Sequence, residues 1–230
     1  MTKYIAELIG TFFLVLTIGC VVIGQGAGPL APLAIGSALM VMIFAGGHIS
    51  GGHFNPAVTL GVWLRGKCAG KDVAPYMMFQ VIGAVLAALV VEFLKGGATV
   101  APLQPATVPA LVAEFLFTFA LVYVVLNVAT AKDTSGNSFY GLAIGFTVLV
   151  GAFSVGNISG GAFNPAVAVG ISVMGLSAWT NLWIYLVADF VGAAAAAGAF
   201  MALNPAERVI VQRSDSRDQP QERKGHKEAA

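Results

Sequence analysis

Charged residues are scarce in this chain. Asp, Glu, Lys and Arg make up 10% of its 230 residues, against about 25% in a soluble domain. With 57% hydrophobic residues and a mean hydropathy of +0.83, the sequence excludes an ordinary water-soluble globule. The formal net charge of +1 gives no basis for a nucleic-acid partner. Cysteine is nearly absent. Cys20 lies in an apolar run and Cys68 in a basic loop, so neither a disulfide framework nor a metal-ligand spacing is present. No Ser-His-Asp set, metal cluster or phosphate-binding loop occurs. Catalysis therefore has no candidate residue, and no cofactor or metal is expected.

What is present is a series of apolar stretches of about 20 residues, long enough to cross a bilayer core about 30 Å thick. The run from Tyr4 to Gly24 is too long for a signal peptide and carries Glu7, so it reads as a first span. Hydropathy places spans at 4–24, 33–47, 73–94, 108–129, 139–156 and 180–203. The remaining charge is concentrated near the C-terminus. Residues 206–230 are polar, mixed in sign and free of aromatics, which reads as a solvated, disordered tail. The expected fold class is an all-α membrane protein with a single domain over 1–205.

The chain repeats itself. AELIGTFFLV at 6–15 matches AEFLFTFALV at 113–122, and PLAIG at 32–36 matches GLAIG at 141–145. HISGGHFNPAVTLG at 48–61 matches NISGGAFNPAVAVG at 157–170, and FQVIGAVLAA at 79–88 matches ADFVGAAAAA at 188–197. The halves are 2–103 and 108–205. Each holds three spans, an odd number, so the second half must enter the membrane from the opposite face. That makes an inverted repeat with a pseudo-two-fold axis in the membrane plane. Lys3, Arg65, Lys67, Lys71, Lys132 and the basic tail fall on one side and Lys95 on the other. The positive-inside rule then puts both termini in the cytoplasm, and the plasma (cell inner) membrane is the expected location.

Each half also contains a segment too short to span. NPAVTLGVWL at 55–64 and NPAVAVGISVM at 164–174 would form helices about 15 Å long, half the membrane core. Asn is a good N-cap, and Pro suits the first helical position because its missing N–H would be unpaired anyway. One such start is ordinary. Two, entering from opposite faces, bring their N-termini together at the midplane, each with about half a positive charge from the peptide dipole. Asn55 and Asn164 can cap through their oxygens and turn their NH₂ groups into a lumen. A neutral solute accepts those bonds, and cations are repelled.

These residues carry a resemblance. The two runs around Asn55-Pro56-Ala57 and Asn164-Pro165-Ala166, with the paired AE starts at 6 and 113, resemble the aquaporins, the major intrinsic protein family. The resemblance covers about 1–205. It implies six transmembrane helices plus two re-entrant half-helices, one pore per protomer and a homotetramer in membrane lipid. It also implies a second constriction, whose four positions fall by spacing on Ile35, Ala152, Gly161 and Val167. Water-selective members typically have an aromatic, a His, a small residue and an Arg there. Glycerol-conducting members keep the Arg and usually place an Asp after it. This chain has neither, since Val167 is followed by Ala168.

The expectation is therefore a passive channel with a wide apolar filter, for water and small neutral solutes such as glycerol, urea, ammonia or hydrogen peroxide. Loop 98–109 is long enough to dip into the mouth and narrow it. The resemblance further implies that His48 lines the inner vestibule; the alternative is a packed or hydrogen-bonded loop role. Glu7 and Glu114 occupy equivalent places. They read either as proton-coupling groups or as buried acids accepting N–H bonds from the loops before the half-helices, and the resemblance favours the second. Gln80 and Asp189 also align, and read as interfacial or helix-end polar positions. A secondary transporter also uses inverted repeats and broken helices, and a closed structural membrane protein would carry no flux. Two amides among apolar residues at the midplane favour the pore.

Overall fold

The structure is a computed structural model that describes residues 1–24, 26–98 and 100–207. It contains α1 (Thr2–Val22), α2 (Ala31–Ser50), α3 (Pro56–Leu64), α4 (Gly70–Leu94), α5 (Thr107–Val125), α6 (Tyr140–Ser159), α7 (Pro165–Val173) and α8 (Leu182–Leu203). Six of these are long and apolar enough to cross a membrane. The short α3 and α7 complete the set. Among the described residues there is no strand, and a single bridge joins Leu103 to Ser177. One π-helical turn, Leu126–Thr130, extends α5.

The helices turn apolar residues outward and small or polar ones inward. On α1, Ile5, Ile9 and Phe13 are exposed, while Glu7, Gly10, Thr11 and Leu14 are buried. That is the arrangement lipid permits. Apolar side chains face the tails, and close helix approach depends on small residues. A Cβ on Gly83 of α4 would overlap the Leu8 carbonyl of α1, and one on Gly192 of α8 would lie 2.7 Å from the Phe115 carbonyl of α5. These two contacts join equivalent helix pairs in the two halves. The halves also interlock, since α3 packs against α8 and α7 against α4. At the centre α2 meets α6, where Gly36 and Gly145 face each other.

Helix ends depart from the hydropathy limits. α2 and α6 run to Ser50 and Ser159, three residues past 47 and 156. Hydropathy falls at the polar His48 and Asn157, but the backbone stays helical until Gly51 (φ 92°) and Gly160 (φ 100°) reverse it. Such left-handed residues are the usual helix stop. Likewise α4 begins at Gly70, with the polar Lys71 and Asp72 already helical.

Of the tail assigned to 206–230, residues 208–230 lie outside the described residues. Ala206 and Glu207 close a helical turn from Pro205. Glu207 is buried and paired, so the chain stays anchored two residues beyond the boundary at 205.

Candidate functional site

α3 and α7 start in the interior with the same cap. Asn55 Oδ1 accepts the N–H groups of Ala57 (2.8 Å) and Val58 (3.4 Å). Asn164 Oδ1 accepts those of Ala166 (2.9 Å) and Val167 (3.4 Å). Pro56 and Pro165 occupy the first helical positions. The amide nitrogens tie the halves together. Asn55 Nδ2 donates to the Phe163 carbonyl at 2.8 Å, and Asn164 Nδ2 donates to the Phe54 carbonyl at 2.9 Å. One hydrogen of each NH₂ is thus used across the repeat. A second hydrogen on each remains for the cavity that both residues line.

The residues before the caps are backbone outliers. Phe54 has φ 49° and Phe163 φ 47°, a left-handed region that costs a bulky residue roughly 1–3 kcal/mol. Both rings are buried. Two carboxylates hold this conformation. Glu7 accepts the N–H groups of His53 (3.0 Å) and Phe54 (2.6 Å) and the Ser50 hydroxyl (2.6 Å). Glu114 accepts the N–H groups of Ala162 (3.1 Å) and Phe163 (2.6 Å). Both acids are fully buried. A carboxylate is well suited here because it only accepts, and these turns offer only donors.

The two halves differ behind these acids. In the first, Gln80 Nε2 donates to Glu7 (2.7 Å) and to Thr59 Oγ1 (3.0 Å). Thr59 donates to the Asn55 carbonyl, and His53 Nδ1 sits 3.1 Å from the same hydroxyl. With the Thr59 hydrogen so used, His53 Nδ1 is left as a donor. In the second half Ala162, Ala168 and Asp189 stand where His53, Thr59 and Gln80 do. Asp189 accepts from Thr118 Oγ1 at 2.8 Å. Gln80 and Asp189 are fully buried, which corrects their reading as interfacial or helix-end positions. The repeat relates Gln80 to Asp189, but neither their depth nor their partners can be read from it.

Three cavities lie along the interior. One of about 30 Å³ surrounds Asn55 and Asn164 and is lined by Leu39, Val58, Ile144 and Val148 among others. A second, of about 360 Å³, holds Ile35, Ala152, Gly161 and Val167 together, joined by Ala101 and Leu103 from the loop before α5. Ile18, Ile35, Gly161 and Val167 line both. The third, about 770 Å³, is lined by His48, Lys67, Lys132, Asn137, Tyr140 and Glu207 among others. All four expected constriction residues therefore line one cavity, and three of them, Ile35, Gly161 and Val167, also line the smaller cavity at the Asn pair. Leu103 is fixed at the mouth by its N–H bond to the Leu176 carbonyl (2.9 Å).

Near the third cavity, the Glu207 carboxylate accepts from Arg65 Nη2 and from the Lys132 N–H, each at 2.6 Å. The Arg65 guanidinium is buried and lies 4.8 Å from the Phe200 ring centroid. The Lys132 N–H above all, and then the Arg65 charge, hold the Glu207 carboxyl below its ordinary range. In the sequence Arg65 counts only among the positive charges that fall on one side of the membrane. Its partner is 142 residues away, and no local pattern announces it.

Residues 1–200 match the family model described as Major intrinsic protein. Over 207 residues the chain is 37% identical to Aquaporin NIP1-4 of Oryza sativa subsp. japonica, covering 85% of this chain and 74% of that one. It is 39% identical over 207 residues to Glycerol uptake facilitator protein-like 6 of Lactiplantibacillus plantarum, covering 86% and 95%. The X-ray structure of the aquaglyceroporin from Plasmodium falciparum superposes with a TM-score of 0.75 at 23% identity, covering 90% of this chain and 98% of that one.

Proposed function

Since this chain belongs to the major intrinsic protein family, we propose that its three cavities form one passive transmembrane pathway for water and small neutral solutes. The observation that carries this is the junction of the two half-helices. Two helix N-termini and two partly free amide groups meet in a small cavity whose lining holds no Asp, Glu, Lys or Arg among the described residues. A cavity of roughly 10–15 Å³ holds one water, so about 30 Å³ suits single-file passage. A water there accepts from the Asn amides and faces two positive dipole ends, which disfavours cations and interrupts a proton-conducting chain. A secondary transporter would need charged or coupling groups at this depth.

The selectivity reading follows from the four residues at the outer cavity. Ile35, Ala152, Gly161 and Val167 supply neither a cation nor a ring, so this filter admits glycerol and urea as well as water, ammonia and hydrogen peroxide. Ion exclusion then rests on the Asn junction. His48 serves as an inner vestibule residue, and Glu7 and Glu114 as structural acids. The protein works as a homotetramer in a plasma membrane with both termini cytoplasmic; the Lys and Arg distribution supports that orientation. Stopped-flow light scattering on proteoliposomes tests the selectivity. Val167→Arg is expected to lower glycerol and urea flux more than water flux. Equal loss of all three, or exclusion of glycerol and urea by the native chain, contradicts it.

A further inference from the structure

We propose that Asp189 is a positioning residue that stays protonated and donates a hydrogen bond to Glu114, fixing the turn that presents Gly161 and Asn164 to the pore. Asp189 stands where Gln80, which reaches Glu7, stands in the first half, and it is bound by Thr118, one turn after Glu114 on α5, so the two wholly buried carboxyl groups are neighbours. Two carboxylates that close cannot both be ionised without severe repulsion, so one proton is shared by the pair. The hydrogen bonds decide where it sits. Glu114 already accepts two backbone N–H groups, one on each oxygen, and such bonds are stronger to a carboxylate than to a neutral acid. Asp189 Oδ1 accepts from Thr118, whereas Oδ2 has no hydrogen-bond partner among the described residues. A buried carboxyl oxygen without a donor is costly as an anion. As a hydroxyl facing Glu114 it is satisfied.

The first half supports the assignment. There Gln80, the counterpart of Asp189, donates through Nε2 to Glu7, the counterpart of Glu114, at 2.7 Å. A protonated Asp189 reproduces that donor with a shorter side chain. The other titratable group facing the pair is Tyr185, one turn earlier on α8. Its hydroxyl already donates to the Ser159 carbonyl at 2.7 Å, so it does not supply the missing donor. Holding the acid neutral lets the second half keep one net negative charge behind its turn, as the first half does with Glu7.

The test uses the full-length chain, purified and reconstituted. The inference rests on the channel reading only for its flux measurement. Infrared spectra and thermal unfolding are independent of it. Asp189→Asn supplies the same donor and acceptor as a protonated acid. It should keep water flux within about twofold of the native chain, because no hydrogen bond is lost. Glu114→Gln should lose flux or folded protein, since its NH₂ must face an N–H. The infrared spectrum of the native chain should show the carbonyl stretch of a protonated carboxylic acid that Asp189→Asn removes. The proposal is overturned if no such band disappears, or if Glu114→Gln is tolerated while Asp189→Asn is not, which would place the proton on Glu114. A general loss of flux across all channel tests, with the band behaving as stated, would sink the channel reading and leave the proton assignment standing.

Discussion

Gly36 of α2 and Gly145 of α6 meet face to face across the two halves. A Cβ on Gly36 would lie 2.7 Å from the Gly145 carbonyl oxygen, and one on Gly145 would lie 2.5 Å from that of Gly36. The repeated glycine thus touches its own copy, as expected of two segments related by a two-fold axis. Gly36→Leu should force α2 and α6 apart and lower the yield of folded protein in detergent, since overpacking costs about 1–3 kcal/mol or more. Gly198→Ala is the control. It has open space around its Cβ position and should fold normally by size-exclusion chromatography.

The reciprocal Asn bonds predict a charge-sensitive junction. Asn164→Asp keeps a capping oxygen but cannot donate to the Phe54 carbonyl. Two acceptors would then oppose each other beside a new negative charge. Thermal unfolding in detergent should move down by an amount set by about 1–3 kcal/mol, the cost of an unsatisfied buried group. Planar-bilayer recordings should show a cation current absent from the native chain.

Glu7 holds a turn that Phe54 would not adopt alone. Glu7→Gln places an NH₂ where four donors already point: the N–H groups of His53 and Phe54, the Ser50 hydroxyl and Gln80 Nε2. The expected loss is about 1–3 kcal/mol or more of stability, with reduced water flux in whatever protein folds. Unchanged unfolding would mean that the turn needs no acceptor.

Glu207 gives a pH signature. Its folded-state carboxyl titrates below its ordinary value of 4.5, because the Lys132 N–H and then Arg65 favour the anion. The stability it adds is therefore present above that ordinary value and is lost as pH falls through the lower folded value. Thermal midpoints of the native chain and of Glu207→Gln should differ near neutrality and converge as the pH drops through that acidic window. A gap that stays constant with pH would remove the ionised pair from the account.

Much of this architecture was legible because the physics is local and doubled. Hydropathy marked six spans, and the Asn-Pro-Ala starts marked two short helices whose caps require only neighbouring residues. The offset between copies related Glu7 to Glu114 and Gly36 to Gly145. What was hidden depends on three-dimensional proximity. The left-handed Phe54 and Phe163 follow no glycine rule, since their strain is offset by acids 47 and 49 residues away. Asp189 reads as interfacial because it lies near the start of its span, and its partner cannot be read from spacing. Arg65 and Glu207 lie at opposite ends of the chain. The helix ends at Ser50 and Ser159 were missed because hydropathy responds to side chains, whereas the stop is set by the backbone at Gly51 and Gly160.

The most direct measurement of the central claim is a paired stopped-flow experiment on one batch of proteoliposomes. Vesicle shrinkage under an impermeant osmolyte reports water. Reswelling under a glycerol gradient reports the solute, and an internal pH dye reports protons. The account predicts fast shrinkage and glycerol reswelling above protein-free vesicles, neither saturating with gradient, and a proton leak no greater than that of lipid alone. Glycerol reswelling no faster than in protein-free vesicles, or a proton leak that rises with protein content, would contradict it.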